Sequence, residues 1–417
     1  MNVITTDALV SHINKVMTNM HFSILLVVLS ICPLEVFLEK LNRAEELIRS
    51  VTSFGYPIES HQIETEDNYI LTVFRIPHGR NTTSANNLPI LLTHGMMGSA
   101  ENYLWLGPER SLAYILADKG YDVWLMNCRG TGYSRQHKIL NSNQKEFWDF
   151  SFHEIGMYDL PAAIDYILNA THQSSLYYVG HSQGCTTVFV MCSERPEYND
   201  KLKLVIALAP GVIYKHFKQP LLSWLLHTVP LKQLEALAES MQLYQIPPPY
   251  FSDKDIRELA TMLCVENKFL QKSCQAIFEM IAEVNVDHVD QVDIPSILSK
   301  LIETVSVRQA FHYGQLILSG NFQKYDYGSS INQQKYNSTS PPIYHLENVK
   351  FAAALFSGKG DNLVTPEDVK LLAKQLSNVV YYSNVPLRDF SHVDFIVNKN
   401  IENSVYKPIL KLLERYK

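Results

Sequence analysis

The sequence predicts an α/β protein whose central sheet is mostly parallel and flanked by helices. Short apolar, β-rich runs alternate with helical patterns, and apolarity within the runs is continuous, as in strands covered on both faces. These runs are Pro89 to Thr93, Tyr121 to Met126, Leu176 to Val179, Leu204 to Leu208, Phe351 to Phe356 and Val379 to Tyr382. Gln62 to Val73 is typical of a hairpin that turns near Asp67 and extends the sheet at an antiparallel edge.

Between about Gly211 and Glu347 the pattern changes to helices without matching strands. The helical runs are Leu221 to Leu237, Asp255 to Leu263, Ala276 to Val284 and Ile294 to Tyr313. Pro247-Pro248-Pro249 forms a stiff, non-helical joint inside this region. We therefore predict a helical cap at 212–347, inserted into a core made of residues 45–211 and 348–417.

Composition narrows the class of protein. The chain has 417 residues, 46% of them hydrophobic, which is enough for one large core with an insertion. Its net charge of −6 offers no basic field for phosphates, so nucleic acid is not an expected partner. The cysteines show no metal-ligand spacing, and we expect neither a metal nor an organic cofactor. The oligomeric state is left open.

The N-terminal residues 1–34 are interpreted as a leader. The apolar run Phe22 to Ile31 is too short to span a bilayer as a helix, and its length fits a secretory signal. An uncleaved anchor or a buried helix are the alternatives, and Met17 or Met20 is an alternative start. No stable transmembrane span is expected.

Three glycosylation sequons also favour secretion, and one cysteine pair could form a disulfide in an oxidising compartment. Asn81, Asn169 and Asn337 begin Asn-x-Ser/Thr triplets in polar stretches interpreted as loops. Cys264 and Cys274 bracket a short polar stretch that a disulfide could close, although the sequence does not give their separation. Three further cysteines lie in core-like segments and are interpreted as buried thiols: Cys128, Cys185 and Cys192.

The pentapeptide Gly180 to Gly184, Gly-His-Ser-Gln-Gly, provides the nucleophile. It follows the strand-like run Leu176 to Val179 and precedes the helix-like run Cys185 to Met191, as in the elbow that exposes a serine hydroxyl. The chain passes so close to the elbow that Gly180 and Gly184 must lack a Cβ atom. The sequence therefore predicts an α/β-hydrolase fold with Ser182 as nucleophile.

A serine hydroxyl needs a histidine base, which follows the nucleophile and the acid in the chain order of this fold. His392 lies after the last strand-like run and before the closing helical pattern, so it is the predicted base. His312 falls inside the predicted cap and is interpreted as a packing residue.

The acid that orients the histidine is predicted at Asp361, where the buried run Phe351 to Phe356 leads into a glycine-relieved loop. Asp368 opens the next helix and is interpreted as a solvated charge. Asp394 is too close to His392 in sequence and is interpreted as a residue that holds the local loop.

Two backbone N–H groups are expected to bind the oxyanion. One belongs to Gln183, directly after the nucleophile. The other is expected in the loop after Pro89 to Thr93, where Gly95 lets the backbone turn so that the Met96 N–H faces the site.

Taken together, the chain from about Phe54 to its end resembles the acid lipase family of animals, which includes gastric, lingual and lysosomal acid lipases. The blocks that carry the resemblance are Phe54 to Pro57, Arg75 to Pro77, Thr93 to Gly95, Ala117 to Leu125, Asn127 to Gly130, Phe147 to Phe152, Tyr158 to Ala162, Tyr178 to Gly184, Ala207 to Pro210 and His392 to Phe395. The chain departs from the family pattern around Cys128, around Thr131 to Ser134 and in Gly358-Lys359-Gly360.

The resemblance implies catalytic roles for Ser182, Asp361 and His392 and oxyanion roles for Met96 and Gln183. It also implies a lid over an apolar cleft and a neutral lipid ester as substrate, a triacylglycerol or a sterol ester bound at a lipid–water interface. We therefore hypothesise a secreted or lysosomal lipase. The alternatives are a carboxylesterase for short-chain esters and a catalytically silent lipid-binding protein of the same fold.

Overall fold

The computed structural model describes residues 40–82, 88–248, 286–290 and 303–417, together with Met262, Glu283 and Ile297. Contacts between residues divide the chain into Met1–Arg43 and Ala44–Lys417, and the architecture below is that of the second unit. The predicted leader at 1–34 and the pair Cys264 and Cys274 lie outside the described residues. The same holds for the predicted helical runs at 255–263 and 276–284 and for positions 294–302 of the predicted run at 294–313, apart from Met262, Glu283 and Ile297.

The described strands include the apolar runs predicted from the sequence. They are β1 (Glu59–Glu64), β2 (Tyr69–Ile76), β3 (Pro89–Thr93), β4 (Asp122–Met126), β5 (Gln136–His137), β6 (Leu176–His181), β7 (Leu202–Leu208), β8 (Gln245–Ile246), β9 (Val305–Ser306), β10 (Ala353–Gly358) and β11 (Val379–Val385). All six strand runs predicted from continuous apolarity are present. The predicted hairpin is β1 and β2, which pair antiparallel from Glu59 opposite Arg75 to Glu64 opposite Ile70.

The main sheet has the strand order β1-β2-β4-β3-β6-β7-β10-β11, with β5 paired to β2. The strands from β4 to β11 in this order pair in parallel, whereas β1, β2 and β5 are antiparallel. This confirms the predicted mostly parallel sheet with an antiparallel edge. Every residue of β3, β4 and β6 is buried, because helices cover both faces there.

The described α-helices are α1 (Lys40–Ser53), α2 (Leu112–Asp118), α3 (Leu160–Thr171), α4 (Gln183–Glu194), α5 (Pro220–Thr228), α6 (Leu231–Ser240), α7 (Val307–Ser319), α8 (Ser329–Tyr336), α9 (Pro366–Gln375), α10 (Asp394–Val397) and α11 (Lys407–Arg415). A short helix, Phe152–Glu154, and a π-helical turn, Ile155–Asp159, run directly into α3. A second π-helical turn, Glu402–Tyr406, leads into α11. None of the helices in the described part of the chain is long and apolar enough to cross a membrane.

The insertion between β7 and β10 contains α5 to α8. Leu226 of α5 and Leu231 of α6 pack against α7, since a Cβ atom on Gly314 would lie 3.3 and 3.1 Å from their side chains. The run predicted as helical from Leu221 to Leu237 is interrupted at Pro230, which cannot donate an intrahelical hydrogen bond.

The expectation of an insertion without strands is wrong at one place. β8 and β9 form an antiparallel pair in which Gln245 lies opposite Ser306. Two strands of two residues each, far apart in sequence, leave no apolar pattern for a sequence analysis to detect.

The parallel strands bring the loops that follow them to one edge of the sheet. Thr93, the last residue of β3, lies in register with Gly180 of β6. Phe356 of β10 lies in register with Leu208 of β7, which in turn lies opposite His181. The carboxyl ends of these strands therefore meet where Ser182, Met96 and Asp361 follow in sequence.

Candidate active site

Ser182 occupies the sharp turn between β6 and α4. Its backbone is at φ 51° and ψ −114°, a conformation that residues other than glycine rarely adopt. Its N–H donates to the Leu208 carbonyl at 2.9 Å, which fixes the turn against β7. A Cβ atom would lie 2.8 Å from the Cys185 nitrogen at Gly180 and 2.3 Å from the Thr93 carbonyl oxygen at Gly184. Only glycine fits at these two positions.

The structure brings Ser182, His392 and Asp361 into one hydrogen-bonded series. His392 Nε2 lies 2.8 Å from Ser182 Oγ, and His392 Nδ1 lies 2.8 Å from Asp361 Oδ2. Asp361 Oδ1 accepts the N–H groups of Leu363 at 3.0 Å and Val364 at 2.7 Å, which leaves Oδ2 for the histidine. Because the carboxylate accepts, Nδ1 carries the imidazole proton and Nε2 can accept from the serine hydroxyl.

The environment of His392 makes it a stronger base. Burial lowers the pKa of the imidazole, but the charge of Asp361 and its hydrogen bond raise it by more, so that the net pKa lies above its usual value. Glu283, a buried residue of the insertion, adds a further negative charge that also raises the pKa of His392.

The two predicted oxyanion donors belong to the two chain segments next to Ser182, the start of α4 and the loop after β3. Gln183 is the first residue of α4, so its N–H has no intrahelical acceptor. The loop after β3 passes next to the nucleophile, since a Cβ atom on Gly95 would lie 3.1 Å from Ser182 Cβ. Within the described residues, neither the Met96 N–H nor the Gln183 N–H donates to a protein acceptor.

His94 links this loop to the residues that follow β4. Its Nε2 accepts the Cys128 N–H at 3.1 Å, and its Nδ1 donates to the Gly95 carbonyl at 2.7 Å. Both ring nitrogens are thus assigned in the neutral form, and burial lowers the pKa of His94 to about 4. The role of His94 was not predicted from the sequence, in which only the neighbouring Gly95 and Met96 were assigned a part in this loop.

The other candidate residues have structural contacts. His312 is buried in α7, stacks on Phe152 and lies 2.9 Å from both Ser151 Oγ and the Gln323 carbonyl, as expected of a packing residue. Asp394 accepts the N–H and the hydroxyl of Ser391 at 2.6 and 3.0 Å, which confirms that it holds the local loop.

The interpretation of Asp368 as a solvated charge is wrong. Its side chain is buried and accepts the N–H of His216 at 2.9 Å, as well as contacting His216 Nδ1 at 2.8 Å. These contacts attach the first residues of the insertion to α9. The partners are 152 residues apart in the chain, so no local pattern could reveal them.

The three sequon asparagines, Asn81, Asn169 and Asn337, are all exposed. The expectation that they lie in loops is wrong for Asn169, which is in the last turn of α3, while Asn337 follows α8 with φ 55°. Cys128, Cys185 and Cys192 are buried free thiols, as predicted. In the described ranges, no three His, Cys, Asp or Glu side chains converge on a position that could hold a metal ion.

The fold and this site define an α/β hydrolase, and comparison with known proteins agrees. Residues 47–107 match the family model of the partial α/β-hydrolase lipase region, and residues 89–233 match that of the α/β hydrolase fold. A crystal structure from Sulfolobus solfataricus has a TM-score of 0.57 over 86% of this chain and 94% of its own, at 15% identity, which shows the fold alone.

Sequence similarity to animal proteins narrows the class. The chain is 39% identical to Lipase 3 of Drosophila melanogaster over 87% of this chain and 91% of that protein. It is 36% identical to the tear acid lipase-like protein of Mesocricetus auratus over 88% of this chain and 89% of that protein. The chain therefore belongs to the animal acid lipase family, as its sequence blocks predicted.

Proposed function

We propose that this protein is a lipase that hydrolyses carboxylic ester bonds of neutral lipids, triacylglycerols or sterol esters, with Ser182 as nucleophile. The observation that carries the proposal is the series of two 2.8 Å contacts from Ser182 Oγ through His392 to Asp361. In this assignment His392 is the general base and Asp361 holds it in the required tautomer.

Acylation is the first half of the reaction. Ser182 Oγ forms a bond to the ester carbonyl carbon while His392 Nε2 takes the hydroxyl proton. The carbonyl oxygen becomes an oxyanion, stabilised by the N–H groups of Met96 and Gln183 and by the positive end of α4. The imidazolium then gives its proton to the alcohol oxygen as the C–O bond breaks, which leaves an acyl-serine.

Deacylation repeats these steps with water. His392 takes a proton from the water molecule as its oxygen attacks the acyl carbon, and the same proton returns to Ser182 Oγ when the acyl–serine bond breaks. The products are a fatty acid and the free enzyme. In both halves of the reaction, His392 carries the proton between Ser182 and the alcohol or the water molecule.

Lipid as the substrate class is supported by the insertion, which we propose to act as a helical cap with a lid at 212–347. α5 and α6 contain no buried residue, although α5 is mostly apolar. Trp224 is 54% exposed, Leu237 51% and Met241 59%. Exposed apolar side chains in such number suit a surface that meets lipid.

A serine-directed fluorophosphonate tests the central assignment. We expect it to label Ser182, mapped by peptide mass spectrometry, and we expect Ser182→Ala to remain folded while ester hydrolysis falls on the order of 10⁴-fold or more. Labelling of another residue, or normal turnover of Ser182→Ala, would contradict the proposal. A series of esters of increasing acyl length then tests the substrate class, because activity restricted to short soluble esters indicates a carboxylesterase.

We also propose that the protein is secreted or lysosomal and N-glycosylated, since Asn81, Asn169 and Asn337 are exposed. Digestion of the protein from animal cells with an N-glycosidase should lower its mass. An unchanged mass would contradict glycosylation at all three sites.

A further inference from the structure

The insertion contacts the loop after β10 that carries Asp361 and Asn362, here called the acid loop, through Glu283. This side chain is buried, 8% exposed, and its Oε2 accepts the N–H of Asn362 at 3.0 Å. Asn362 directly follows Asp361, and its carbonyl accepts the N–H of Lys218, which precedes α5, at 2.9 Å. The N–H and the carbonyl of the residue that follows the predicted catalytic acid are therefore both held by residues of the insertion.

A second residue of the insertion, His288, contacts the loop of the catalytic histidine. His288 Nδ1 lies 2.9 Å from Asp394 Oδ2, the same oxygen that accepts the Ser391 N–H. The His288 carbonyl also accepts the N–H of Lys399 at 2.9 Å. His288 thus holds two residues that follow His392, and one of them, Asp394, is in turn bonded to Ser391, which precedes His392.

Glu303 contacts the loop after β3 that carries Met96 and Met97, here called the oxyanion loop, through its backbone N–H. Its N–H donates to the Met97 carbonyl at 2.8 Å, and its Oε2 accepts the Gly132 N–H at 3.0 Å. Met97, next to Met96, has φ 61°, a strained conformation that needs support from its surroundings. The Glu303 side chain is 2% exposed, so these contacts are made away from solvent.

We propose that Glu283, His288 and Glu303 are positioning residues, each of which fixes one loop of the active site: the acid loop, the histidine loop and the oxyanion loop. This inference rests on the proposed function. None of the three makes a hydrogen bond to Ser182, His392 or Asp361 among the described residues. Glu283 therefore acts through Asn362, His288 through Asp394 and Glu303 through Met97. Displacement of a catalytic group by about 1 Å can lower a rate about 100-fold, so loss of a contact that positions one of these loops is expected to lower kcat.

The test compares truncation with conservative replacement at each position. Alanine removes the side-chain contact of each residue; at Glu303 this is the contact with the Gly132 N–H, which anchors the residue whose backbone N–H holds the Met97 carbonyl. Glu283→Gln and Glu303→Gln retain an oxygen acceptor, and His288→Asn retains a donor. With a soluble p-nitrophenyl butyrate as substrate, we expect each alanine variant to lower kcat about tenfold or more with KM changed less than about twofold. The Gln and Asn variants should recover most of kcat.

Asp290→Ala is the matched control. Asp290 belongs to the same part of the insertion, but its carboxylate pairs with Arg110 at 2.6 Å, outside the three loops. We expect this variant to keep kcat within about twofold of the unmodified protein, as for a partly exposed ion pair. Equal losses of kcat in Asp290→Ala and in the three alanine variants would overturn the assignment.

Unchanged kcat in folded alanine variants, or a loss confined to KM, would also overturn the inference. If Glu283→Ala does not fold, Glu283→Asp replaces it, because it keeps the charge but shortens the side chain; unchanged kcat in that variant has the same meaning. Failure of the proposed function is distinct, since the unmodified protein would then neither hydrolyse the ester nor react with the fluorophosphonate.

Discussion

At the scale of single residues, the direction of the hydrogen bonds determines the protonation of the site. Asp361 Oδ2 can only accept, so the proton of neutral His392 is on Nδ1 and its Nε2 faces Ser182 Oγ. His181, next to the nucleophile, donates from Nε2 to the His392 carbonyl at 3.0 Å. Burial, and then the nearby His392, lower the pKa of His181 to about 3, so it stays neutral while His392 titrates.

Asp361→Asn tests the charge of the acid. The pKa of His392 is raised by Asp361, so removing the carboxylate charge should move the low-pH limb of kcat/KM to lower pH. We also expect kcat to fall about 10⁴-fold, because the amide favours the wrong imidazole tautomer. The measurement is a pH profile of kcat/KM for both proteins, and a low-pH limb at the same pH in both would contradict the electrostatic role of Asp361.

At the scale of elements, prediction from sequence succeeded where a pattern is local. The buried strands have continuous apolar runs, and the elbow at Ser182 has a five-residue motif, so the sequence alone predicts both. It does not predict the roles of Glu283, His288 and Asp368, because each acts through a partner about 80 to 150 residues away in the chain. Loops that carry such contacts have neither a helical nor a strand period.

The same scale includes the exposed apolar residues of α5. Trp224→Ser should lower activity on an emulsified long-chain triacylglycerol severalfold while leaving hydrolysis of a soluble short-chain ester unchanged, because only the emulsion requires contact with a lipid surface. Ile139→Ser is the control, since Ile139 is 80% exposed but lies outside the insertion. Equal effects of the two variants on the emulsion assay would argue against a lipid-facing α5.

At the scale of the whole molecule, buried neutral histidines link folding to pH. Burial lowers the pKa of His94 to about 4 and the pKa values of His181 and His312 to about 3. An unfolded histidine has a pKa of about 6.5. Between these values the unfolded chain binds more protons than the folded protein, so acid reduces the free energy of unfolding.

His312→Gln tests this linkage away from the active site. Below about pH 6, each buried neutral histidine lowers the free energy of unfolding by up to about 1.4 kcal/mol for each unit by which the pH falls. The variant should be less stable at pH 7, where it loses the stacking on Phe152, but its free energy of unfolding should fall less steeply between pH 6 and pH 4. Urea unfolding at several pH values measures both slopes, and equal slopes would show that His312 is not neutral in the folded protein.

The buried thiols of Cys128, Cys185 and Cys192 have a consequence for how this molecule ages. Burial raises the pKa of all three, so in the folded protein they are present as unreactive thiols, out of reach of oxidants. Cys185 and Cys192 belong to α4, the helix that begins at the nucleophile. Alkylation or oxidation of these thiols therefore requires that the core around Ser182 first opens to water. A modified thiol no longer fits the closed core, so modification makes the opening irreversible.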